Sequence, residues 1–194
     1  MGISSSLAKP EGISVAVLGS ARIDDQDPRW KEANALGSSI AARGWTALTG
    51  GYGGLMGAVA EGARSAGGHT VGLPMRPWGH LTPHAANAEL RWSFNYGERI
   101  EHLLTADVAI ALPGGIGTLA EAAMVWAAAQ TEPDTARLIL VGEDWQALAE
   151  EFSQRLIINP DDLAIARIVP NVAQAVYLTS TLLDQPRTAS AARG

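Results

Sequence analysis

The chain has 194 residues, 47% of them hydrophobic, enough for one domain with a full core. A formal charge of −6 argues against the basic face that duplex DNA or RNA requires, and no run reaches the roughly 18 apolar residues of a membrane span. Zero cysteines exclude disulfides, thiolate nucleophiles and thiolate metal sites.

Residues 1–11 read as a flexible leader and 185–194 as a tail. The leader lacks a charged then apolar secretory pattern, which with the absent cysteines suits a cytoplasmic protein. Its Met1-Gly2-Ile3-Ser4-Ser5-Ser6 matches the myristoylation pattern, but only Lys9 follows as a nearby basic residue, so the leader is not read as an anchor. Between these ends, apolar runs alternate with helical patterns. A first strand, 13–18, stops at Gly19-Ser20. A helix over 30–43 is closed by Gly44. A second strand, 45–48, stops at Thr49-Gly50-Gly51, and a helix over 55–65 follows. A third strand, 69–73, stops at Pro74, and residues 74–88 form the longest loop. A short strand at 88–92, a helix at 96–104 and a strand at 108–112 come next. An Ala-rich helix covers 120–130, with later strands at 138–141 and 166–169 and helices near 145–155 and 172–183. This alternation predicts a three-layer α/β domain over 12–184, Rossmann-like, with a mainly parallel sheet and helices on both faces.

In such a sheet, ligands bind outside the carboxyl ends of the strands. Three glycine-containing loops fall there: Gly19-Ser20, residues 50–57 and residues 114–118. Their convergence on one edge predicts a nucleotide-sized site. The third loop belongs to Pro113-Gly114-Gly115-Ile116-Gly117-Thr118-Leu119-Ala120-Glu121, where a strand, a glycine loop and a helix start succeed one another. The free N–H groups of that first helical turn, with the dipole behind them, favour a phosphate. Glu121 is the anomaly, because a carboxylate repels a phosphate. Two roles are open for it: a capping box, in which Glu121 bonds back to the amide of an N-cap Thr118, or a chemical role beside the ligand. The G-x-G-x-x-G fingerprint is absent after the first strand, and the third loop lacks a Walker lysine, which argues against ATP-driven chemistry. His80 and His84 are four apart, but Pro83 between them disfavours a helical pair, so neither a metal site nor a cofactor is predicted. Trp78 is open to several readings: stacking on a base or acting as a lid, or an oligomer contact or surface packing. The helix after Glu121 is almost wholly apolar, which predicts burial on several sides and a homodimer or larger assembly.

Two segments together resemble the LOG family. They are Gly50-Gly51-Tyr52-Gly53-Gly54-Leu55-Met56-Gly57-Ala58-Val59-Ala60 and the 113–121 segment, which is similar to that family's P-G-G-x-G-T-x-x-E signature in full. The resemblance implies a Rossmann-like enzyme that forms a homodimer or a larger homo-oligomer. Such enzymes hydrolyse the N-glycosidic bond of cytokinin nucleoside 5′-monophosphates, and often AMP, to a free base and ribose 5-phosphate. It implies Glu121 and Arg99 as catalytic residues. It implies substrate binding by Gly19, Ser20, Gly51, Gly53, Gly54, Met56, Gly114, Gly115, Gly117 and Thr118. It implies no lysine decarboxylation, and Lys9 and Lys31 are the only lysines. The family carries an Arg-Lys pair where this chain has Arg99-Ile100, and the interval from Arg99 to Asp107 is one residue short. One residue is about 100° on a helix. That leaves two placements open for Arg99, in the pocket or on the solvated face with Glu98 and Glu101. The alternative function is a non-catalytic nucleotide or molybdenum-cofactor carrier of the same fold.

Overall fold

A computed structural model describes residues 9–132 and 134–185. The myristoylation pattern, most of the leader and nearly all of the tail lie outside the described residues.

Seven strands form one sheet: β1 (Ser14–Leu18), β2 (Thr46–Thr49), β3 (Thr70–Gly72), β4 (Glu89–Leu90), β5 (Val108–Ala111), β6 (Arg137–Val141) and β7 (Arg167–Val169). Their spatial order is β4-β3-β2-β1-β5-β6-β7 and every pairing is parallel. The chain therefore runs outward from β1 in one direction, then returns to β5 beside β1 and runs outward in the other. The reversal between β1 and β5 is where such sheets open a crevice. Alternate residues of one strand serve opposite faces. Val15 and Val17 pack with α1 (Pro28–Ala41), α2 (Leu55–Ser65) and α7 (Val172–Asp184). Ala16 and Leu18 pack with α3 (Tyr96–Leu104), α4 (Ile116–Thr131) and α5 (Glu143–Arg155). The domain is thus three-layered, as the alternation predicts.

Most boundaries fall within two residues of expectation, with the start of α4 the largest difference. α1 starts at Pro28 because Asp27 caps it, its carboxylate accepting from the Arg29 amide at 2.9 Å, with proline at the first helical position. α4 starts at Ile116, four residues before the expected start. A short α6 (Pro160–Leu163) and a 3₁₀ turn (Arg76–Trp78) interrupt what reads as loop. α1 and α2 approach closely through two glycines. A Cβ on Gly37 would lie 2.0 Å from the Val59 carbonyl, and one on Gly62 would lie 1.9 Å from that of Asn34. This contact fixes the two helices behind the loops that leave β1 and β2.

Candidate active site

Parallel pairing brings the three glycine loops to one edge. The loops after β1 and β5 are joined directly, Ser20 N–H donating to the Pro113 carbonyl at 3.2 Å. The loop after β2 joins them through Leu55 N–H, which donates to the Ser20 carbonyl at 2.8 Å. Beside them opens a cleft of about 580 Å³. Of the expected site residues, Gly19, Ser20, Gly53, Met56, Arg99, Gly115, Gly117, Thr118 and Glu121 line it. Gly51, Gly54 and Gly114 do not, and each has a reason within the fold. Gly51 (φ 85°) and Gly54 (φ 69°) occupy backbone conformations that suit glycine, and a Cβ on Gly54 would lie 2.2 Å from the Ser20 carbonyl. A Cβ on Gly114 would lie 2.2 Å from Thr118 Oγ1.

Three other glycines have no such reason. Gly53, Gly115 and Gly117 have negative or extended φ, and a Cβ on any of them would meet nothing within 4 Å. Among the described glycines without positive φ, only these three are so open, and all three line the cleft. No packing contact in the fold requires glycine at these three positions. A substituent there would obstruct a ligand approaching the backbone closely.

The capping-box role for Glu121 does not hold. The N-cap of α4 is Gly115, so Thr118 lies one turn inside the helix, buried, and Glu121 is past the capping positions. Its carboxylate instead accepts from Arg99 Nε at 2.8 Å. Arg99 is 4% exposed, so its solvated placement is also overturned. The start of α3 explains this. Asn95 caps it, accepting from the Glu98 amide at 3.0 Å, while Glu98 reaches back to the Phe94 amide. That cap turns Glu98 outward and sends Arg99 inward on the side of Ile100, His102 and Leu103. Arg99 Nη1 donates to the Gly50 carbonyl at 3.2 Å and to the Leu73 carbonyl. A Cβ on Gly50 would collide with Arg99 Nη2 at 2.4 Å, so that glycine makes room for the guanidinium. Ile100, where the family carries lysine, packs in the core. One turn on from Arg99, His102 is buried, and desolvation holds its imidazole below the usual range.

The cleft also has an aromatic wall, of which only Trp78 is singled out from the sequence. Tyr52 and Trp78 rings lie 5.9 Å apart, Trp78 and Tyr96 meet edge-on at 5.6 Å, and Arg99 Cζ lies 5.6 Å from the Trp78 ring. Trp78 lines the cleft, a position compatible with base stacking. Tyr52, Tyr96 and Arg22 also line the cleft, and no motif spacing links them, because each comes from a different element. His80 and His84 lie off the regular helices, and no acidic or histidine cluster among the described residues could hold a metal.

α4 departs from expectation in one further respect. It buries only Thr118, Ala122 and Val125. Ala120, Ala123, Met124 and Ala127 form an exposed apolar stripe on the opposite side, so burial on several sides is not achieved within one chain.

A family model, the SLOG cluster4 family, matches residues 12–152. The chain belongs to the SLOG cluster4 family. Two curated relatives are each named cytokinin riboside 5′-monophosphate phosphoribohydrolase. The one from Mycobacterium marinum is 44% identical and that from Mycobacterium tuberculosis 42%, each over 98 residues. Each match covers 48% of this chain and 52% of the relative, so the chain spans about half the length of the curated relatives it matches. Among solved structures, the molybdenum cofactor carrier protein from Chlamydomonas reinhardtii shares the fold, with a TM-score of 0.69 and 24% identity over 89% of this chain and 99% of that one. The molybdenum cofactor binding protein from Rippkaea orientalis does so at the same TM-score, 0.69, and 24% identity, over 88% and 96%. Among the described residues of this SLOG chain, no helix is long and apolar enough to cross a membrane.

Proposed function

We propose that the chain is a LOG-type phosphoribohydrolase acting on AMP or an N6-modified adenosine 5′-monophosphate, with residues 12–184 as one nucleotide-binding unit. The observation that carries this reading is the ion pair of buried Arg99 with part-buried Glu121, in the cleft that the first turn of α4 also lines. A 5′-phosphate sits on Gly115, Gly117 and Thr118, where free N–H groups and the helix dipole favour it. The ribose then extends along the first turns of α4 toward Glu121. Cleavage sends the electrons of the C1′–N bond to the base and leaves positive charge on the ribose. Glu121 faces that charge and orients or deprotonates the attacking water, whose hydroxyl ends on C1′ while the base gains a proton. One oxygen of Glu121 is held by Arg99, and Oε2 has no partner among the described residues. With three protein acceptors on its guanidinium, Arg99 positions Glu121 rather than binding phosphate. The base lies against Trp78 and Tyr52.

The test is incubation of purified protein with AMP and with isopentenyladenosine monophosphate, followed by chromatography for free base. Base release supports the hydrolase. Measurable nucleotide binding with no release at high protein concentration makes the chain a carrier instead.

Gly117→Ala separates binding from folding. With open space at this position, alanine in the first turn of α4 is expected to raise stability by up to about 1 kcal/mol. The added methyl stands where the phosphate must approach, and AMP affinity is expected to drop by about tenfold or more, read by calorimetry. Unchanged affinity would show that no ligand passes over that turn.

The exposed stripe of α4 continues toward Leu156 and Ile157, which are 54% and 108% exposed, around an apolar groove of about 350 Å³. A second copy of the chain covers this face in the proposed homodimer. Met124→Glu is expected to halve the particle mass measured by light scattering. A monomeric parent protein would refute the dimer.

A further inference from the structure

A second cleft, of about 520 Å³, opens on the other side of the same glycine turn. It shares Ser20, Gly115 and Ile116 with the first. Its wall is apolar, from Leu119, Trp145 and Leu148, and its rim carries Arg29 and Asp144. The first cleft lies over the loops after β2 and β3, and the second lies against α5, which follows β6. They therefore flank the β1/β5 reversal from opposite sides. Both fall within the roughly 300–1,000 Å³ of small-molecule sites. A nucleoside monophosphate seated as proposed above fills only the first.

We propose that this site accepts a dinucleotide-class diphosphate diester. One nucleoside lies in the first cleft, the diphosphate crosses Gly115, and a second nucleoside-sized group lies against Leu148 and Trp145. Dinucleotides in related sheets lie across a strand-order reversal in this way, with the diphosphate at a glycine-lined helix start. The usual fingerprint is absent after β1, but the β5–α4 turn supplies the same requirement, since Gly115 and Gly117 leave the backbone open to close approach. Ile116, 81% exposed, lines both clefts, so no buried side chain separates them at this point. On the first side, Arg22 has no side-chain partner among the described residues, which leaves its charge for one phosphate. This inference rests on the phosphate site at α4 proposed above.

The experiment compares AMP with diadenosine diphosphate on the intact protein by calorimetry. Diadenosine diphosphate is expected to bind about tenfold tighter or better. Leu148→Arg, which drives bulk and charge into the second cleft, is expected to bring the ratio of the two affinities near one. Asp144→Trp fills the same space from an exposed rim position, so the test survives poor folding of the Leu148 variant. A ratio near one in the unaltered protein, or an unchanged ratio in a folded variant, overturns the second cleft and leaves the monophosphate reading standing. Failure of both ligands to bind overturns both.

Discussion

Glu121→Gln is expected to lower base release from AMP by about 10²–10⁴-fold while AMP binding stays equal or tightens. Glutamine keeps an acceptor for Arg99 Nε, and Arg99 Nη1 keeps its two backbone carbonyls, so the guanidinium loses a counter-charge but no hydrogen bond. The stability cost is expected to be about 1–2 kcal/mol, a few degrees in unfolding temperature. That leaves the protein folded at assay temperature, so lost turnover reports chemistry. Removing a carboxylate beside a phosphate also removes a repulsion, hence the binding prediction. Progress curves and calorimetry on the same preparation check both parts. Full activity in this variant would remove Glu121 from the mechanism.

Arg99→Ala is expected to cost more in folding than any other single change at the site. It leaves the Glu121 carboxylate without its buried partner, strips a donor from the Gly50 and Leu73 carbonyls, and opens a void. Breaking a buried ion pair from one side costs about 3–5 kcal/mol, which here means a fall of roughly 10 °C in unfolding temperature. Base release is expected to vanish even at low temperature, where the variant stays folded, because Glu121 is no longer held toward the ribose. Arg99→Lys is expected to restore part of the stability and little of the activity. An ammonium supplies charge but not the planar fork that joins Nε to Glu121 and Nη1 to two carbonyls. Calorimetric scans that agree within a degree for Arg99→Ala and the parent would dismiss the strut role.

Helix and strand identities were legible in the sequence because their periods are local. Leu55–Ser65 and Tyr96–Leu104 agree with expectation to the residue, since a glycine or an asparagine cap marks each start. The 113–121 segment was likewise legible as a glycine turn between a strand and a helix, although the helix starts at Ile116, four residues before the expected start. The role of the segment's last residue was not. Thr118 and Glu121 have the spacing of a capping box, yet capping depends on where the helix begins, and a start at Gly115 moves both residues past the cap.

The sequence by itself determined the alternation, the parallel sheet and the glycine turns at strand ends, because backbone freedom and hydrophobic period act over a few neighbouring residues. Only the tertiary structure decided what faces what. Arg99 and Glu121 are 22 residues apart on different helices, and their meeting depends on the rotation of α3, set by Asn95, and on the space that Gly50 leaves for the guanidinium. The purpose of individual glycines was equally hidden. Gly54 and Gly114 answer to the fold, whereas Gly53, Gly115 and Gly117 leave open space, because the room around a missing Cβ belongs to residues distant in sequence.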